Sequence, residues 1–148
     1  MLLCLNWKES QNKNYENLLV LALLIIGIGI TAQKREYDPK MVGCYKGSEK
    51  NQQIDGLSKY WVSCRLEGGK SILMFVAIDE NGDVQQETEN GKWWTSNGKY
   101  YELHNFDKVI DVYSYEILGS GDVKFQSIEL MGKKDNTYTF IDTKIEED

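Results

Sequence analysis

The stretch VIDVYSYEIL (109–118), GSGD (119–122), VKFQSIEL (123–130), MGKKDN (131–136), TYTFIDTKI (137–145) decides the fold class. Its three apolar segments are rich in β-branched and aromatic residues, and the connections between them are polar or contain glycine. Such side chains suit a pleated, half-buried surface, and short connections return each strand onto the one before it. The stretch therefore predicts an antiparallel meander.

Working upstream, the same pattern repeats. Strands are expected at 42–48, 59–66, 71–78, 84–88, 92–95 and 99–103, ahead of those at 109–118, 122–131 and 137–145. Three Asn-Gly pairs, Asn81-Gly82, Asn90-Gly91 and Asn97-Gly98, read as hairpin turns, because a type I′ turn needs positive φ at both central residues. No amphipathic helix interrupts the series, so the fold class is all-β, an antiparallel up-and-down meander of about eight or nine strands. Closure into a barrel is expected, since an open sheet of that size exposes two unpaired edges. Residues 71–78 are apolar on both faces, which calls for a cover or a partner on the outer side. Between 122 and 131 the apolar set switches from Val123 and Phe125 to Ile128 and Leu130, which predicts a bulge near Gln126 or Ser127.

Residues 18–30 (LLVLALLIIGIGI) form an uncharged apolar run of 13, followed by Thr31, Ala32 and Gln33. A bilayer span needs about 20 residues, whereas a signal-peptide apolar region needs roughly 7 to 15. The expected organisation is thus a signal segment over 1–32 cleaved after Ala32, a polar linker over 33–40 holding the only proline, Pro39, and a barrel domain over 41–148. An uncleaved N-terminal anchor and a short buried helix are the competing readings, and a membrane association is expected only with the anchor. Cleavage implies an exported, periplasmic, envelope-associated or secreted protein.

The 148 residues are 41% hydrophobic and 11% aromatic, enough for one core. The net charge of −6 is unchanged by removing 1–32, whose Lys8 and Lys13 balance Glu9 and Glu16. An acidic surface repels phosphate, so nucleic acid is not an expected partner.

Beyond the leader's Cys4, two cysteines remain. Facing residues of an antiparallel hairpin have numbers of constant sum, and a turn centred on Ile54 sets Cys44 opposite Cys64. A disulfide is expected in an exported chain, worth roughly 3 kcal/mol for a loop of this length; two buried free thiols are the alternative.

Gly43-Cys44-Tyr45, opening the first strand, resembles the Gly-x-Trp opening of the lipocalins, with tyrosine in place of tryptophan. With the meander and the leader, the chain is similar to the short lipocalin-like (calycin-type) proteins secreted by bacteria. The family's second motif, Thr-Asp-Tyr, has no counterpart. The resemblance implies a barrel with Tyr45 turned into its floor and Gly47 opposite Trp61. The apolar face of the second strand, Tyr60, Val62, Cys64 and Leu66, argues the opposite orientation, with the cysteines inside and Tyr45 outside.

Catalytic patterns are sparse. His104 is the only histidine, which excludes a histidine metal cluster, and in HNFDK it reads as a turn residue. A buried carboxylate beside it in a cleft would instead point to an enzyme. There is no Gly-x-Ser-x-Gly elbow, phosphate loop or dinucleotide fingerprint. DENGD (79–83) places its glycine fourth, not sixth, and reads as a hairpin turn instead of a calcium loop. No metal, cofactor or catalytic residue is expected. The adjacent pairs Trp93-Trp94 and Tyr100-Tyr101 must split between the two faces of their strands.

The expected function is non-catalytic binding of a small apolar or amphipathic ligand inside the barrel, with Trp61, Tyr113, Tyr115 and Phe125 as lining residues. The rival is a protein-binding or inhibitor module at the cell envelope, with a packed interior and an outer aromatic patch around Trp93 or Trp94. Interior volume separates them: roughly 300 Å³ or more, open at one end, favours the first.

Overall fold

The structure, a computed structural model, describes residues 34–146; the expected signal segment and its cleavage point lie outside the described residues. Nine strands follow one another: β1 Gly43–Lys50, β2 Ser58–Arg65, β3 Lys70–Ile78, β4 Val84–Ser96, β5 Lys99–His104, β6 Ile110–Ile117, β7 Val123–Leu130, β8 Lys133–Lys134 and β9 Thr139–Lys144. Each of β1 to β7 pairs antiparallel with the next, and β9 pairs with both β7 and β1. The result is a closed eight-stranded barrel, with β8 a two-residue appendage on the end of β7. Closure satisfies the edge groups that an open meander would expose.

Two expected strands are one. Residues 84–88 and 92–95 are halves of β4, which runs for 13 residues, and Asn90-Gly91 is not a turn. Gly91 faces Ser71 on one side and His104 on the other. A Cβ there would lie 2.6 Å from the Leu103 carbonyl oxygen and 2.8 Å from Ser71 Oγ, so glycine serves close strand approach instead of positive φ. Asn97-Gly98 does make the hairpin, with φ of 50° and 71°. In the 79–83 turn only Gly82 is left-handed, and Asp79 Oδ1 accepts hydrogen bonds from the Asn81 and Asp83 amides.

The bulge falls one residue beyond its expected place. Val112 faces Glu129 while Tyr113 faces Ser127, so Ile128 is the extra residue of β7.

The β1–β2 register is as expected: Cys44 faces Cys64, the two form a disulfide, and Gly47 faces Trp61. The orientation read from the apolar face is overturned. Trp61, Ser63 and Arg65 point inward, Tyr60 lies outside at 50% exposure, and Tyr45 is fully buried. The disulfide therefore lies on the outer face, and no kink is needed to reconcile it with an inward Tyr45. The apolar count misled because β2 carries its polar residues Ser63 and Arg65 inside.

One end of the barrel is solid. Met41, Tyr45, Trp93, Tyr100, Tyr113, Val123 and Phe125 form a single buried cluster. The segment leading into β1 caps it. Glu36 pairs with Thr95, Tyr37 packs edge-on against Trp93 at 5.6 Å, and a single turn of 3-10 helix, Pro39–Met41, inserts Met41. Trp93 and Tyr100 face inward, while Trp94 and Tyr101 stack on each other outside at 5.3 Å. Arg35 covers the Trp94 ring at 4.3 Å, leaving Trp94 only 5% exposed. Among the described residues no helix is long and apolar enough to cross a membrane.

Candidate functional site

Above the solid end the barrel is hollow. The cavity measures about 800 Å³ and opens at the end carrying the β1–β2, β5–β6 and β7–β9 connections, where its lining residues Phe106 and Met131 are 84% and 74% exposed. Inward positions of successive strands build its sides. β2 contributes Trp61, Ser63 and Arg65, β3 Leu73 and Phe75, and β5 Glu102 and His104. Leu130, Tyr138 and Phe140 complete the apolar part. The period of two along each strand selects these residues, and the bulge at Ile128 restores Leu130 to the interior after Ser127.

The four expected lining residues divide evenly. Trp61 and Tyr113 border the cavity. Phe125 belongs to the packed cluster beneath it, and Tyr115 lies at the capped end, where its hydroxyl donates to Asp38 Oδ2 at 3.2 Å. Neither borders the cavity, for one reason: alternation assigns a face but not a depth, and these two sit on the capped side.

Arg65 is the centre of the floor. Its Nε donates to the Tyr100 hydroxyl at 3.2 Å, and its Nη2 pairs with Asp142 Oδ2. Asp142 also accepts from Trp61 Nε1 at 2.7 Å. The guanidinium lies against the rings of Tyr45, Tyr100 and Phe125 at 4.6, 5.0 and 5.1 Å. Planar and always charged, arginine suits such a stacked, partly paired position where lysine would not. These contacts join β2 to β9 beneath β1, where Gly47 has no side chain. A Cβ at Gly47 would run into the Trp61 ring.

Higher in the cavity, His104 is the last residue of β5 and not the loop residue expected from HNFDK. Its Nδ1 contacts Glu89 Oε1, and its Nε2 lies 3.4 Å from Asp111 Oδ2. Hydrogen bonding to Asp111, with Glu102 and Glu89 nearby, pushes its pKa up to about 10. With both nitrogens held by carboxylates and the ring protonated, His104 has no lone pair to serve as a base at neutral pH. Burial raises the pKa of Glu102, whose carboxyl also lines the cavity. Burial likewise raises Tyr100 and Tyr113. Near the mouth, Lys59 pairs with Glu49 at 2.7 Å and contacts Gln53 Oε1.

Sequence reasoning missed Arg65, Asp142, Glu102 and the carboxylates around His104. The signal for Arg65 was available. An inward Tyr45 fixes Gly47 and hence Trp61 as inward, and residues two and four further along β2 must follow. Asp142 and Glu102 needed the order of strands around the ring.

Among the described residues no group of three or more histidine, cysteine or acidic side chains is arranged to hold a metal ion. Comparison of the chain with protein-family models, with curated proteins and with solved structures found no match.

Proposed function

We propose that this chain is an exported, lipocalin-like, non-catalytic binding protein that takes a small apolar or amphipathic molecule into its barrel. One observation carries the reading: an interior of about 800 Å³, closed below by a packed aromatic cluster and open above. That volume lies within the usual range for pockets that enclose a small ligand, roughly 300 to 1,000 Å³. The lining, with Trp61, Leu73, Phe75, Leu130 and Phe140 around a few polar groups, has the expected mixture. The disulfide suits an oxidising compartment, and the inward Tyr45 suits a Gly-x-aromatic opening of lipocalin type.

The carboxylates beside His104 raise the question of catalysis, and the protonated, doubly held ring argues against it. A protein-binding module with a packed interior has less support, because the interior is hollow and Trp93 and Trp94 are both buried. The test is uptake of the uncharged fluorophore N-phenylnaphthylamine, followed by its emission. The expected result is saturable 1:1 binding that Leu73→Trp, which fills the cavity from its side, abolishes without unfolding the barrel. No saturable uptake by the unaltered protein would overturn the reading.

A further inference from the structure

We propose that the ligand of the cavity is an organic cation, an ammonium head on an apolar tail, whose N–H groups meet the carboxylate of Glu102. The proposal rests on the cavity reading above and adds the chemistry of the head group. On β5, Glu102 stands two residues after Tyr100 and two before His104, so it turns inward between the packed floor and the histidine and borders the cavity. Its carboxylate takes part in no hydrogen bond and no ion pair among the described residues. It is not sealed either. The side-chain polar atoms that are closed to water and lack a partner are Glu49 Oε2 and Arg65 Nη1, and neither oxygen of Glu102 is among them. Those oxygens are therefore open to the cavity, where an incoming donor can reach them. Burial pushes the pKa of Glu102 up, as befits a carboxyl drawn away from water with nothing to pair it.

Charge selects the head group. The two cations nearest Glu102 are both engaged: Arg65 pairs with Asp142, and His104 is held between Glu89 and Asp111. Asp111, which faces Glu102 across the β5–β6 ladder, also accepts from the Tyr113 hydroxyl and the Met131 amide. Four carboxyl groups thus surround two cations, and Glu102 is the one left over. Around the whole cavity seven carboxyl side chains stand against five basic ones. A ligand carboxylate would add to that excess and an uncharged head would leave it, whereas an ammonium brings the opposite charge and three N–H donors. Among the described residues no three such groups converge to hold a metal ion, so the cation that fits is an organic one. Leu73, Phe75, Leu130 and Phe140 would cover its tail.

The experiment compares three eight-carbon probes at pH 8: octylammonium, octanol and octanoate. Intrinsic fluorescence follows binding, since Trp61 borders the cavity. Octylammonium should bind about tenfold or more tighter than octanol, as a hydrogen bond to a charged group provides, and octanoate should bind weakest. In Glu102→Gln, which keeps the shape of the side chain and removes its charge, octylammonium and octanol should bind alike. Equal binding of octylammonium and octanol to the unaltered protein, or a preference for octanoate, would overturn the proposal. So would an ammonium preference that survives in Glu102→Gln, the result that attraction to the acidic surface alone would give. The unaltered protein decides the first two without any variant. Octanol tests the cavity alone: if octanol binds and the ammonium gains nothing, the head-group assignment falls and the cavity reading stands. If no probe enters, both fall.

Discussion

Replacing Arg65 by methionine strands the Asp142 carboxylate, which is 1% exposed and keeps only Trp61 Nε1 as a partner. Breaking a buried ion pair from one side costs about 3–5 kcal/mol, because the surviving charge is left uncompensated. Asp142→Asn keeps an acceptor for Trp61 but leaves the guanidinium unmatched, so a loss of about 3 kcal/mol or more is expected by the same argument. The double variant has no stranded charge. Its new amide oxygen still accepts from Trp61, and its remaining loss is the Tyr100 hydroxyl partner plus imperfect packing, about 1–3 kcal/mol. The two single losses would then exceed the double by several kcal/mol, well above the roughly 0.5 kcal/mol scatter of independent sites. Urea unfolding with the disulfide intact measures all four species. Single losses below about 1 kcal/mol, or a double loss equal to the sum of the singles, would refute the description of Arg65 and Asp142 as one desolvated pair.

Three further outcomes follow from other parts of the barrel. Replacing Cys44 and Cys64 together by alanine should cost about 3 kcal/mol, the closure entropy for a separation of 20 residues; a loss under about 1 kcal/mol in chemical unfolding would deny the cross-link that role. Gly47→Ala should cost about 1–3 kcal/mol and shift the Trp61 emission, because the new methyl occupies space already held by the indole; an unchanged spectrum would argue against the close contact. His104→Gln should destabilise most between about pH 5 and 6.5. The folded pKa of His104, about 10, is raised above the ordinary 6.5, so its contribution is complete below 6.5 and fades as pH rises toward 10. The gap in melting temperature between the two proteins should close across that range, and a gap independent of pH would contradict an imidazolium held by Glu89 and Asp111.

The architecture was legible because turn chemistry and strand composition are local. Asn97-Gly98 and the 119–122 turn ended strands where their residues said they would, and the register of β1 on β2 followed from one loop. The errors arose where a residue answers to something distant. Asn90-Gly91 looks like a turn from its own chemistry, yet Gly91 is fixed by Leu103 and Ser71 on the neighbouring strands. The inward face of β2 could not be read from hydrophobicity, since its deepest position holds an arginine whose partner, Asp142, is 77 residues away. Tyr115 and Phe125 lie on inward-facing positions but beside or below the cavity, because depth along the barrel depends on where the cap enters.

The same polar group explains how the ring is completed. β9 meets β1 through only two residue pairs, Tyr45 with Lys144 and Lys46 with Thr143, supported by the Ile145 amide donating to the Cys44 carbonyl at 2.9 Å. Toward the open end the β1–β9 ladder does not continue among the described residues. What spans that gap is interior: Trp61 and Arg65 of β2 both reach Asp142 of β9, passing under the bare backbone of Gly47. A ladder of eight residue pairs would have made such a tie redundant, as it is between β1 and β2. With two pairs, the Arg65–Asp142–Trp61 clasp becomes part of barrel closure as well as the floor of the cavity. A wider gap between β1 and β9 is therefore the structural consequence expected when Asp142 loses its arginine, and faster exchange of the Ile145 amide, which donates to Cys44 of β1, in Arg65→Met than in the unaltered protein would reveal it.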